Sequence, residues 1–520
     1  MQTQLLTTKK NSIFHMLNYC IFIGFVSGYA ASFYTLLVEK AAEYSAIIYN
    51  LIEKNEWYIA LIAGILFLAF LICTHVVRLS NVTRGSGVPQ ALGLLRGAFI
   101  MKWVRGLIVM VTCSLVATFV GLSLGSEGPS MIIGGLAAMG ASKLFPMYTR
   151  NYMVTGGVSA GIAVAFNAPL SGVMITLEEG HKRFSPVIAF NSLVIVAVAM
   201  ITSYAILGYR TIVPVHDFLI KPIDIPFLML LGIVVVISGI VFNTLLLALR
   251  KLTKKLKFKH LDLRYMPAFV LALLIGVFMP LSLGGGLPII KSLLVESFTL
   301  KTLLVLSIVK LLFTIVCTSN GIPGGIFVPM LSCGAIVGAM YAQILGLKFD
   351  VQIELYIVAA MVAYFTSVSH GYFTAIMLAV ELTHNPLFAI PAMITCSVTK
   401  LLIHVLHTKG LYDELLNLTI KENTTKMDEI ETFKLFVGKG SFADGRLLCD
   451  LILPTGVKII QCNHDNPSDL RPDRALQHND LLYFEMITLD NQYAKNVIIS
   501  LLTSKNVDDD LDGVPPNVTL

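Results

Sequence analysis

The chain has 520 residues, of which 56% are hydrophobic and only 13% charged, and its mean hydropathy is +0.77. A soluble globular chain carries about 25% charged residues, so composition places most of this one in lipid. The net charge of +6 is modest and its basic residues border apolar segments. That pattern reads as positive loops at a membrane surface, not as a nucleic-acid binder.

Apolar segments recur from about residue 16 to 406. The first, roughly 16–38, is long enough to span and lacks a small-residue cleavage site, so no cleaved leader is expected. Clear segments follow at 57–77, 104–124, 187–207, 226–249, 266–282, 302–318, 352–365 and 388–406. Between them lie pieces broken by glycine and proline, at 129–143, 152–179, 325–345 and 372–382. Such pieces read as discontinuous helices, because irregular backbone survives at membrane depth only where protein buries it or it lines a polar cavity. Lys9 and Lys10, Lys182 and Arg183, and the basic loop 250–264 are expected on the cytoplasmic side, with no role beyond topology. The eight cysteines form no C-x-x-C pair and read as small buried hydrophobes, without a metal site or a disulfide framework.

Two internal matches stand out. GSEGPSMIIG (125–134) aligns with GIFVPMLSCG (325–334) at an offset of 200, and NAPLSGVMITLEE (167–179) aligns with HGYFTAIMLAVEL (370–382) at an offset of 203. Two matches at nearly one spacing predict a duplicated membrane unit, with the substrate site at the repeat interface near the midplane.

The chemistry concentrates in three junctions that each precede an apolar helical run: GSGVP (85–89), GSEGP (125–129) and GIPGGIFVP (321–329). Gly85, Gly87, Gly125, Gly128 and Gly325 let backbone N–H groups approach a ligand, and the positive end of each helix dipole favours an anion. Partial charges offset dehydration yet let the ion leave, which suits transport. The plainer alternative is that the junctions are helix breaks needed for packing. Glu127 lies inside the second junction. Ionised, it can occupy the anion position itself; protonated, it can vacate it. Glu178 and Glu179 read either as a helix-end charge cluster or as a route for cytoplasmic protons, and Glu381, the repeat partner of Glu178, reads as structural. Tyr412 reads either as an interfacial anchor or as a hydroxyl donor to an anion.

From about 421 the composition turns polar. KENTTKMDEIE reads as a linker, and strands are predicted at 433–437, 447–453, 457–462 and 481–487, followed by a helix at 491–502. This gives an all-α polytopic membrane domain (1–420), a linker (421–431), a small cytoplasmic α+β domain (432–503) and a tail (504–520).

The three junctions, together with NAPLSGVMITLEE and KGLYDELL, resemble the signatures of the CLC chloride channels and transporters, in order and spacing, over roughly residues 15–420. The resemblance implies about eighteen helices in two inverted repeats and a homodimer with one pore per subunit. It implies that Ser86, Tyr412 and the N–H groups of Ile326 and Phe327 hold chloride, that Glu127 is the external gate, and that Glu179 is the internal proton-transfer residue found in many antiporters. Chloride and protons are then the partners, no cofactor is needed, and the chain is expected to be a multi-pass protein of the bacterial plasma (inner) membrane with both termini cytoplasmic. Serine in GSGVP resembles the chloride-preferring form, in place of the proline of nitrate-preferring members. Two departures stand out: Ser126 replaces the usual Lys or Arg before the gate, and HGYFT replaces the usual APLTG. His370 in that second stretch reads as a packed or hydrogen-bonded histidine, with a pH sensor as the alternative. The C-terminal stretch 430–503 resembles the TrkA-C (RCK-C) fold, whose members often dimerise and in some cases bind cyclic di-AMP. Rival readings are a passive chloride channel of the same family, a cation-coupled transporter carrying a TrkA-C module, and a sensory membrane protein without transport.

Overall fold

The computed structural model describes residues 2–503 apart from 53–54, 97, 99–100, 217–219, 256–262, 350, 424–430, 454–456, 464–470, 472 and 487–490. Most of the expected linker and all of the expected tail lie outside the described residues. Among them are eighteen α-helices, seventeen up to Asn423 and one in the C-terminal module. The first seven are α1 (Gln2–Asn50), α2 (Trp57–Val76), α3 (Val88–Leu95), α4 (Trp103–Phe119), α5 (Glu127–Ala141), α6 (Met147–Phe166) and α7 (Pro169–Ile175). Then come α8 (Pro186–Leu207), α9 (Asp224–Lys255), α10 (Met266–Phe278), α11 (Leu287–Val295), α12 (Leu300–Ser319), α13 (Phe327–Gly346) and α14 (Ile353–Ser369). The membrane part closes with α15 (Tyr372–Thr383), α16 (Ala389–Val405) and α17 (Leu411–Asn423). Among the described residues, seven helical segments are long and apolar enough to cross a membrane.

Short helices surround the centre, and their breaks are encoded locally. α6 stops at Asn167 and α14 at His370, both left-handed (φ 51° and 77°), and these two residues are equivalent under the offset of 203. α7 and α15 begin two residues later. Their first N–H groups would be orphaned in a membrane, and each helix is capped by an acid from the other repeat. Glu381 accepts from Leu170 N (2.7 Å), Ser171 N (2.8 Å) and the Ser171 hydroxyl (2.6 Å). Glu178 accepts from Tyr372 N (2.6 Å), Phe373 N (3.1 Å), Thr374 N (2.9 Å) and the Thr374 hydroxyl (2.8 Å). Both acids therefore have a structural use, as the duplication implied for Glu381.

The C-terminal module is an antiparallel sheet of β1 (Glu431–Phe436), β2 (Val457–Cys462) and β3 (Leu481–Met486) in the order β1-β3-β2, followed by α18 (Asn491–Leu502). Phe433 faces Phe484 across the β1–β3 pair, with ring centroids 5.0 Å apart. The strand expected at 447–453 does not form. A short turn, Leu448–Asp450, takes its place, because the polar backbone around it is taken up by the membrane part. Tyr152 Oη donates to Asp450 O (2.5 Å) and accepts from Ile452 N (3.3 Å); Arg183 donates to Leu451 O (2.6 Å) and Ser185 to Asp450 Oδ1 (2.6 Å). Ile452 is buried in the core formed by α1, α6 and α8. Lys182 and Arg183, read from sequence as topology signals only, are thus structural. Arg183 holds the module, and Lys182 pairs with Asp413.

Candidate functional site

The three glycine junctions meet at the centre of the membrane part. Gly125 and Gly325, equivalent under the duplication, exchange two backbone hydrogen bonds, each 2.6 Å, across an antiparallel bridge. Gly324 N donates to Gly85 O (3.3 Å). A Cβ on Gly128 would sit 1.9 Å from Ser86 O, and one on Gly87 would sit 2.3 Å from the Gly128 carbonyl carbon. Only glycine allows three backbones to pack this closely.

Each junction starts a helix as its sequence predicts. Gly87 (φ 85°) precedes α3, with Pro89 at its second position and Gln90 reaching back to accept from Gly87 N (2.8 Å). Ser126 precedes α5, whose first helical acceptor bond is Ser130 N to Ser126 O (2.8 Å). Ile326 precedes α13, whose first is Met330 N to Ile326 O (3.1 Å). The earlier N–H groups, Phe327 among them, are the orphans that give a helix start its affinity for anions.

Three side chains bring unpartnered polar atoms to this centre. Ser86 is 2% exposed, Tyr412 0% and Glu127 4%. Among the described residues, the Ser86 and Tyr412 hydroxyls and Glu127 Oε2 have no hydrogen-bond partner. Burial of Tyr412 removes the interfacial-anchor alternative. The other Glu127 oxygen accepts from the Ser126 hydroxyl at 3.0 Å, and the amides of Ser126, Glu127 and Val328 lie around the carboxylate. Glu127 thus sits across the starts of α5 and α13. Tyr412 lies on α17, which packs against α3, the helix that follows Ser86. Phe327 packs between Phe166 and Phe365, with centroids 4.8 and 4.5 Å away.

Glu179 lies on a π-helical turn, Thr176–His181, that continues α7. It is 5% exposed, and it lines an open cavity of about 740 Å³ together with Glu178, Lys182, His370, Lys400 and Asp413. His370 contacts the Thr408 hydroxyl at 3.3 Å, and its carbonyl accepts from Lys400 (2.7 Å), which fits the packed reading. At the same mouth, burial opposes ionisation of Asp413, but Lys182 and Arg96 outweigh it and hold the carboxyl below its ordinary value.

Sequence reasoning missed Arg96 and Lys310. Lys310, completely buried in α12, donates to Ser282 O (3.1 Å) and Gly284 O (2.6 Å). A lone lysine inside an apolar helix was the signal for it. Arg96 carried no local signal, because its partners lie far along the chain.

The chain is similar to known proteins over most of the membrane part. The family model described as "Voltage gated chloride channel" matches residues 68–404. The H(+)/Cl(-) exchange transporter ClcA of Vibrio parahaemolyticus is 27% identical over 444 residues, covering 80% of this chain and 92% of that protein. The protein of the same name from Salmonella typhimurium is 30% identical over 361 residues, covering 66% and 76%. The crystal structure of a slow cyanobacterial Cl−/H+ antiporter superposes with a TM-score of 0.72 at 26% identity, over 78% of this chain and 98% of that one. The chain belongs to the voltage gated chloride channel (CLC) family.

Proposed function

We propose that the protein exchanges chloride for protons across the membrane. Chloride is held by the Ser86 and Tyr412 hydroxyls and by the N–H groups of Ile326 and Phe327. Glu127 plugs that position when ionised, and when protonated it swings away and carries a proton to the outside. Glu179 exchanges protons with the cytoplasm. The observation that carries this reading is the meeting of three helix starts around buried, unpartnered oxygens of Ser86, Tyr412 and Glu127. Relatives named H(+)/Cl(-) exchange transporters support it.

The same reading takes the protein as a homodimer in the bacterial inner membrane, with both termini cytoplasmic. It divides the chain into a transport domain (1–420), a linker (421–431), a TrkA-C (RCK-C)-type regulatory module (432–503) and a tail (504–520). A small ligand such as cyclic di-AMP is the proposed effector. In support, the module binds Arg183 and Ser185, just beyond the Glu179 turn.

The test is simultaneous chloride and proton flux from purified protein in liposomes, with sodium and potassium as control ions. Chloride moving down its gradient must drive protons the opposite way. A reversal potential indifferent to a pH gradient would instead identify a passive channel, and cation flux a cation-coupled transporter.

A further inference from the structure

We propose that Arg96 is a positioning residue for proton coupling: its guanidinium locks the Glu179 turn to the Tyr412 helix, so that the two meet the ion path in register. The inference rests on the antiport reading and adds a residue to its machinery.

Arg96 terminates α3, the helix that begins just after Ser86. Three of its donors are directed. Nε reaches Gly180 O (3.0 Å), Nη2 reaches Glu179 O (2.5 Å) and Nη1 reaches Asp413 Oδ1 (2.9 Å). Asp413 directly follows Tyr412 and also receives Lys182. One side chain therefore ties together α3, which starts just after Ser86, and the two elements that carry Glu179 and Tyr412, the π turn and α17.

The π turn explains why such a tie is needed. An inserted residue breaks the i to i−4 ladder, and such turns persist where surrounding structure supports them, often at functional sites. This one ends at Lys182 in the left-handed region (φ 53°). The carbonyls of Glu179 and Gly180 sit at its end, and Arg96 supplies donors to both. The planar fork of arginine can serve two carbonyls and a carboxylate together, and a lysine ammonium cannot match that geometry. Displacing a proton-transfer group by about 1 Å costs orders of magnitude in rate. An anion that needs only an open cradle is far less sensitive. Loss of the fork should therefore harm proton transfer more than chloride passage.

The experiment measures chloride and proton fluxes from full-length protein in liposomes for wild type, Arg96→Gln, Arg96→Lys and Asp413→Asn, each first shown to be monodisperse. Arg96→Gln should lower the proton-to-chloride ratio about tenfold while chloride flux stays within about twofold. Arg96→Lys should lose most of the ratio as well, and Asp413→Asn, which keeps the carbonyl contacts, should lose less. An unchanged ratio, or equal loss of both fluxes, would reduce Arg96 to a structural staple and overturn the inference. So would full rescue by lysine, which would assign the effect to charge alone. Wild-type protein that passes chloride without protons would sink the antiport reading first, and the inference with it.

Discussion

The two repeats share a frame but not a chemistry. Gly125 answers Gly325, Pro129 answers Pro329, and Glu178 and Glu381 cap helices of the opposite repeat, Glu178 accepting from three N–H groups and a hydroxyl and Glu381 from two N–H groups and a hydroxyl. At the two functional positions the match ends. Glu127 corresponds to Phe327 and Glu179 to Leu382 under the offsets of 200 and 203. One repeat supplies both acids of the proposed proton route, and the other answers with a buried aromatic ring and a leucine. Duplication thus builds a symmetric cradle of helix starts, and the two acids of the proposed proton route come from one half only.

The most severe way to break this picture is to open the cradle. Gly128→Ala places a Cβ 1.9 Å from Ser86 O, so it should abolish chloride and proton flux together. Gly64→Ala, with nothing within 4 Å of its Cβ, should leave both unchanged. Next come the acids found in one half only. Glu127→Gln should stop proton flux while chloride still passes, because a neutral amide cannot titrate. Glu179→Gln should do the same by closing the cytoplasmic entrance. Stoichiometric proton pumping in either variant would remove that residue from the route. The matched caps should instead behave alike. Glu178→Gln and Glu381→Gln each weaken charge-assisted bonds worth about 1.5–3 kcal/mol, so both should lower the thermal midpoint in detergent by similar amounts; a large difference would break the symmetry argued for the frame. The smallest effect concerns pH. The Asp413 carboxyl is held below its ordinary value of 3.8, so its ion-pair contribution is complete above that value and is lost only as pH falls through the lower folded value. Asp413→Asn should therefore change the flux ratio by the same factor at pH 5 and pH 8. A pH-dependent factor would mean that Asp413 itself titrates during transport.

Much of this was legible in the sequence because it rests on local rules. Glycine and proline marked the helix starts at 88, 127 and 327, and the repeated strings marked the duplication. The helix expected at 491–502 and two of the strands fall where their patterns put them. What escaped was set by distant partners. The stretch 447–453 has strand-like composition, yet Tyr152 and Arg183, roughly 270 to 300 positions earlier, take its backbone groups. Tyr412 could not be told from an interfacial anchor until α17 was seen buried against α3 and α14. Arg96 reads as an ordinary basic residue at a helix end until Asp413 is placed beside it.

The paired peptide groups of Gly125 and Gly325 also constrain how the molecule can move. Many transporters with inverted repeats rock one bundle against the other around a fixed substrate. Here such rocking would have to break or shear two short backbone hydrogen bonds between the repeats. The bridge thus favours a small, local stroke, in which single side chains move while the paired glycines hold the two halves together.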